Sequence, residues 1–324
     1  MRKAIAYISI LLFLSGAITP LNAVETDSLS YPWGTIIFHP GEKELARSSA
    51  EKIRVSLGRI GEMLDLEQQY QFEVVIAKSK EAFLKFAGRL PEWAGAVANY
   101  RTNRIVLKSP SLGKTDIWDY DETLMHEVAH MIIGQNLDPD RLPRWFNEGL
   151  AMAAAGQHSL QDSYTLAMAA VREDLIPLGE LEQMLNFHRK KASLGYAQSY
   201  SVVQFLQSKF PAETLPRVFR RMQKSDLSFS QALQEIAGVS SFYLEYHWKQ
   251  ELQSQYKWIS VLSSDTVLWI IFPVLALLGY LAVKWRNRKK MQQWESEEDR
   301  IDSELDWDYE YLPDEDDKWR GDIH

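Results

Sequence analysis

The chain has 324 residues, of which 46% are hydrophobic, 25% charged and 12% aromatic, with a net charge of −8. That composition excludes a collagen, a coiled coil and a wholly disordered chain. Cysteine is absent, so disulfides, thiolate metal sites and cysteine nucleophiles are excluded, and any metal must be held by His, Asp or Glu. Residues 295–324 carry 14 acidic against three basic side chains, a net of −11 that exceeds the whole chain's −8. The main domain has no basic excess, which excludes a nucleic-acid partner.

In chain order, the first segment reads as a secretory signal peptide over 1–23: MRK, then an uncharged apolar run, then small residues and Pro20. Cleavage is expected after Ala23, with the SGA at 15–17 as a competing site and a retained N-terminal anchor as the alternative. After a short polar lead, GTIIFHP reads as a strand. Leu45, Ile53, Leu57, Ile60 and Leu64 then recur at near-helical spacing between Glu42 and Leu66. QFEVVIA near 71–77 predicts a second strand, KEAFLKFAG a short helix, and NRIVLK at 103–108 a third strand preceded by WAGAVANY. From Asp119 onward the pattern is helical. The expected fold class is therefore α+β: a small mixed-sheet lobe over 24–115 and a helical lobe over 116–258.

Residues 266–283 (TVLWIIFPVLALLGYLAV) contain no charge, and 18 helical residues reach about 27 Å, enough to span a bilayer. A transmembrane helix is expected over 265–284. A buried helix of a soluble core is disfavoured because five positive charges follow at once, at Lys284, Arg286, Arg288, Lys289 and Lys290, marking the cytoplasmic side. Residues 24–264 are then expected outside the cytoplasm. The basic-then-acidic tail over 285–324 is read as disordered and cytoplasmic, with a cytosolic partner as its sharper possible role.

HEVAH occupies 126–130 in a run read as an amphipathic helix. Residues four apart lie on one helix face, so His126 and His130 can reach one metal, with Glu127 beside the activated water. WFNEGLA places Glu148 on a second helix, 18 positions beyond His130. A catalytic zinc site takes three protein ligands and leaves one position open. His126, His130 and Glu148 supply that set, the plainer reading of Glu148 being a helix-start carboxylate. Asp121 and Glu122 are the candidate partners for the histidines' second nitrogens. His39, His158, His188 and His247 lack ligand spacing and read as structural or solvated.

HExxH followed by NEG resembles the gluzincin zinc metallopeptidases, in particular the peptidase-MA-like domain, and WFNEGLA is similar to the WLNEGFA of zinc aminopeptidases. YAQSYSVVQFL at 196–206 is similar to their YEKGAxVIxML helix, which assigns the family's catalytic tyrosine to Tyr196, with Tyr200 one turn later as the alternative. The resemblance covers roughly 90–255. It implies a Zn²⁺ cofactor, a peptide or protein substrate, and hydrolysis by zinc-activated water with Glu127 as general base and Tyr196 at the oxyanion. It also implies a substrate-binding edge strand ahead of the zinc helix, expected at NRIVLK. Zinc aminopeptidases carry GAMEN, whose Glu binds the substrate's amino group. Here GAVAN at 95–99 puts Ala98 at that position, so an endopeptidase is expected unless another acid, such as Glu92, takes the role. The alternative of a different class is a catalytically inactive binding or scaffolding module at the membrane.

Overall fold

The structure is a computed structural model and describes residues 25–66, 69–87, 95–112, 119–262 and 265–305. The signal-peptide expectation over 1–23 lies outside the described residues, as do Glu92 and the end of the tail from 306.

Five strands form one mixed sheet: β1 (Asp27–Tyr31), β2 (Gly34–Phe38), β3 (Phe72–Ala77), β4 (Ala96–Asn99) and β5 (Arg104–Lys108), in the order β1-β2-β3-β5-β4. The three strands expected from apolar runs are β2, β3 and β5, mutually parallel and central. The two antiparallel outer strands were not expected. β1 (DSLSY) and β4 (AVAN) are poor in β-branched and aromatic residues, and their pairing with β2 and β5 supplies what propensity does not. This corrects the edge assignment. NRIVLK is β5, hydrogen-bonded to β3 on one side and β4 on the other, so its backbone has no free edge, and the sheet ends at β4.

Helices α1 (Lys43–Leu64) and α2 (Lys80–Ala87) follow β2 and β3. α1 buries Ala46, Ala50, Ile53, Ile60 and Leu64 as one stripe, as its period requires. Beyond the sheet come α3 (Tyr120–Asn136), α4 (Arg144–Ala155), α5 (Leu160–Val171), α6 (Arg189–Lys209), α7 (Thr214–Gln223), α8 (Phe229–Ala237) and α9 (Ser241–Leu262). α3 is not amphipathic as expected: every residue from Thr123 to Ile133 is buried, because α1, α4, β4 and β5 pack around it. One apolar core runs from Ile36 on the sheet through Leu124 and Val128 on α3 to Trp248 on α9. Residues up to Lys257 form one compact unit.

A second unit begins at Trp258 and contains α10, a continuous helix over Asp265–Leu305. The disordered tail expected from 285 is corrected over 285–305, which is helical. No Gly or Pro interrupts 284–305, and Lys, Arg, Glu, Gln and Met are strong helix formers. Among the described residues no helix is long and apolar enough to cross a membrane. The transmembrane expectation over 265–284 falls partly outside the description, because the side chains of 265–268, 270 and 271 are not described. Those described from Phe272 to Val283 are all exposed.

Candidate metal centre

α3 starts at a side-chain cap: Asp119 accepts a hydrogen bond from the Glu122 backbone N–H at 3.1 Å, satisfying one of the donors a helix start leaves open. Three turns of buried helix then hold His126 and His130 on one face. α4 has no such cap of its own after Pro143. Instead the Glu182 carboxylate accepts from the Arg144 N–H at 3.1 and 3.2 Å. Trp145 and Phe146 fasten this first turn to Phe229 of α8, with ring centroids at 5.6 and 4.3 Å. Aromatic pairs of this kind add about 0.5–1.5 kcal/mol each beyond area burial.

These two anchored helices bring His126, His130 and Glu148 together. The two Nε2 atoms are 3.0 Å apart, and the Glu148 Oε2 lies 3.3 Å from one and 3.4 Å from the other. Ligands bound at about 2.0–2.2 Å around a tetrahedral zinc are separated by about 3.3–3.6 Å; the two sides to Glu148 match that edge and the side between the histidines is slightly shorter. All three residues are 1–2% exposed, and among the described residues neither Glu148 oxygen accepts a hydrogen bond. A buried carboxylate of that kind is costly unless a cation compensates it. Burial works against charge on both Glu148 and His130, yet their mutual attraction prevails: Glu148 is held down to about 2 and His130 is raised. The donor set, two imidazoles and one carboxylate, is that of a zinc site with one position open, and no other His/Asp/Glu group of metal-binding size occurs among the described residues.

Glu127 is buried in the same turn of α3. Tyr196 is buried on α6, while Tyr200 is only partly buried and stacks on His158 at 4.7 Å. α6 approaches α4 closely enough that a Cβ on Gly149 would lie 2.3 Å from the Ser199 carbonyl oxygen and 2.7 Å from Val203. The Gly of NEG is therefore a packing requirement. It lets the helix carrying Tyr196 lie directly on the helix carrying Glu148, and Tyr196 shares the stripe of Ser199 and Val203.

The expected second partners of the histidines are corrected. Asp121 is ion-paired to Lys52 at 2.7 Å. The His126 Nδ1 instead meets the side-chain oxygen of Gln157 at 2.7 Å, and the His130 Nδ1 meets that of Asn147 at 3.2 Å. Neither was expected from the sequence; Asn147 had a signal, as the residue before Glu148 in NEG. Gln157 had none, since it lies beyond the end of α4 and reaches the site only through a turn. The remaining histidines serve local contacts: His188 accepts from Lys191 N–H at the start of α6, and His39, His158 and His247 contact Lys78, Ser163 and Tyr243.

Sheet, donor triangle and helical bracket together define an α+β domain with a zinc-type metal site. Residues 72–254, more than half of the chain, match the Peptidase MA superfamily, and the chain belongs to that superfamily, with zinc as its cofactor. The chain is also similar to the uncharacterized protein YhcO of Bacillus subtilis, at 25% identity over 116 residues, covering 33% of this chain and 34% of that protein. Among solved structures it is similar to native yeast LTA4 hydrolase (16% identity, 71% of this chain and 38% of that one, TM-score 0.40). A further similarity is to the M1 zinc metallopeptidase of Deinococcus radiodurans (15% identity, 69% and 47%, TM-score 0.36). The chain thus spans about a third of the curated relative's length and less than half of either of these structures'.

Proposed function

We propose that the protein is a membrane-anchored metallopeptidase that hydrolyses peptide bonds outside the cytoplasm. The observation that carries this reading is the buried triangle of His126, His130 and Glu148 with Glu127 in the same helical turn. His126, His130 and Glu148 would hold a zinc ion, which would supply a Lewis acid for the scissile carbonyl and lower the pKa of water. Glu127 accepts the proton of the attacking water and delivers it to the leaving amine. Tyr196 donates its hydroxyl to the oxyanion that develops on the carbonyl. β4, at the end of the sheet and packed against α3, offers its outer backbone edge to an extended peptide, which binds as an added strand.

Ala98, where aminopeptidases place the acid that binds the amino terminus, is 4% exposed in the main core. β4 carries no carboxylate, and a free ammonium left unpaired in a partly desolvated cleft is costly. This supports an endopeptidase. The test is a pair of fluorogenic peptides identical except for N-acetylation: equal cleavage is expected, and stepwise removal of residues from only the free peptide overturns the endopeptidase reading while leaving the metal centre intact.

Anchoring is supported by the apolar side chains α10 exposes around its circumference, among them Phe272, Leu275, Leu278 and Leu281, and by the five cations from Lys284 to Lys290. Cations in such a position stay cytoplasmic. Protease added outside intact spheroplasts is expected to digest residues 24–264 and spare a C-terminal fragment. A tag at His324 accessible from outside contradicts the topology.

A further inference from the structure

Resting on the metal-centre reading above, we infer that Gln157 is a positioning residue for the metal: it fixes the protonation pattern and ring orientation of His126 through an uncharged amide. The Gln157 side-chain oxygen has only lone pairs to offer, so the His126 Nδ1 at 2.7 Å must be the donor. A neutral imidazole carries one N–H. With that proton on Nδ1, Nε2 keeps its lone pair, and it is Nε2 that lies in the triangle with His130 and Glu148.

The chain takes a specific path to place this amide. α4 ends in Gly156, in the left-handed region at φ 71°. The next N–H, that of Gln157, bonds back to the Met152 carbonyl at 2.9 Å, and the Gly156 N–H bonds to Ala153 at 3.3 Å. This is the paired-bond cap in which glycine avoids the strain a side chain suffers there. The cap turns Gln157 back into the protein, where it is 2% exposed. α4 and its closing turn therefore supply the Glu148 ligand and both imidazole acceptors, Asn147 and Gln157, as one bracket against α3.

Residue 157 is held for its oxygen and not for general packing, as its other end shows. The Gln157 Nε2 is buried without a hydrogen-bond partner among the described residues, an arrangement that costs stability. A carboxylate there would accept the same proton but add negative charge, strengthening metal binding while weakening the metal's pull on its substrate. An amide orients the ring without that charge.

The test uses full-length protein and reads zinc affinity by chelator competition beside the melting temperature of the metal-free form. Gln157→Met keeps the volume and removes the acceptor; zinc binding is expected to weaken by about 10–100-fold, with a metal-free melting temperature close to wild type, because the orphaned Gln157 donor goes while the buried His126 Nδ1–H loses its acceptor. Gln157→Asn, which withdraws the amide by one methylene, is expected to show the same weakening. Gln157→Glu, which keeps an oxygen in place, is expected to bind zinc at least as tightly as wild type. Wild-type zinc affinity in Gln157→Met and Gln157→Asn overturns the inference, as does equal loss in all three variants accompanied by a fall in metal-free melting temperature, the mark of a packing role. His126→Ala run alongside separates the two levels. If it loses zinc while Gln157→Met does not, only the role of Gln157 fails; if it keeps zinc, the metal centre itself is wrong.

Discussion

α3 and α10 break the inside-apolar rule in opposite directions. α3 buries His126, Glu127 and His130 among Leu124, Val128, Met131 and Ile132, whereas α10 exposes Trp269, Phe272, Leu275, Leu278 and Leu281. Buried ionisable groups and contiguous exposed apolar groups both cost free energy in water, so each helix marks a place where something other than folding selects the residues. In α3 that is metal chemistry; in α10 it is the apolar surrounding proposed for the anchor. α3 is supported on all sides, so changes there propagate, while α10 belongs to a separate unit.

The sharpest break in that comparison comes from the base. Glu127→Gln is expected to retain zinc and lose about 10²–10⁴-fold in turnover, while His126→Ala, His130→Ala or Glu148→Ala loses the metal itself. Zinc content measured beside peptidase activity separates the two classes, and full zinc in a doubly substituted His126→Ala, His130→Ala protein defeats the assignment. Next in size, Tyr196→Phe is expected to lower kcat by about 10²–10³-fold with little change in KM, as for a donor engaged only near the transition state. Tyr200→Phe should stay near wild type; the reverse ranking moves the oxyanion role one turn along α6.

Gly149→Ala probes the bracket without touching a ligand. A methyl group 2.3 Å from the Ser199 carbonyl oxygen forces α4 and α6 apart, an overpacking cost of about 1–3 kcal/mol. Both the melting temperature and kcat are expected to fall, and an unchanged melting temperature contradicts the close crossing.

The pH dependence of the metal's stabilising effect is a smaller signal with a definite sign. In the metal-free protein the raised His130 contributes stability that is present below roughly pH 6.5 and lost as pH rises through its folded value. The lowered Glu148 contributes stability present above about 4.5 and lost only as pH falls toward about 2. The metal-free site is thus most stabilising in mild acid, whereas zinc requires neutral rings. The zinc-induced rise in melting temperature should therefore grow between roughly pH 6 and 8, as read by thermal denaturation with and without chelator. A rise that is largest at pH 6 contradicts the ion-paired metal-free site.

The smallest effect is expected from α10. Leu277→Asp, at a residue 57% exposed, should change the stability of the unit ending at Lys257 by no more than about 0.5 kcal/mol while releasing protein from the membrane fraction. Val128→Asp, at a fully buried position between the two histidines, should prevent folding.

By itself the sequence determined the donor set, the central strands and the helical character of the second half. HExxH spacing is local, since residues four apart share a helix face whatever surrounds them, and β2, β3 and β5 are dense in Val, Ile and Phe. Tertiary structure alone decided the rest. Ala-rich β4 became the sheet's edge because β5 was there to pair with it, and α3 lost its polar face because four elements enclose it. Gln157 reached His126 only because a left-handed glycine turned the chain back at the end of α4. Its partner is 31 residues away in the chain, a contact made by packing and not by any local period.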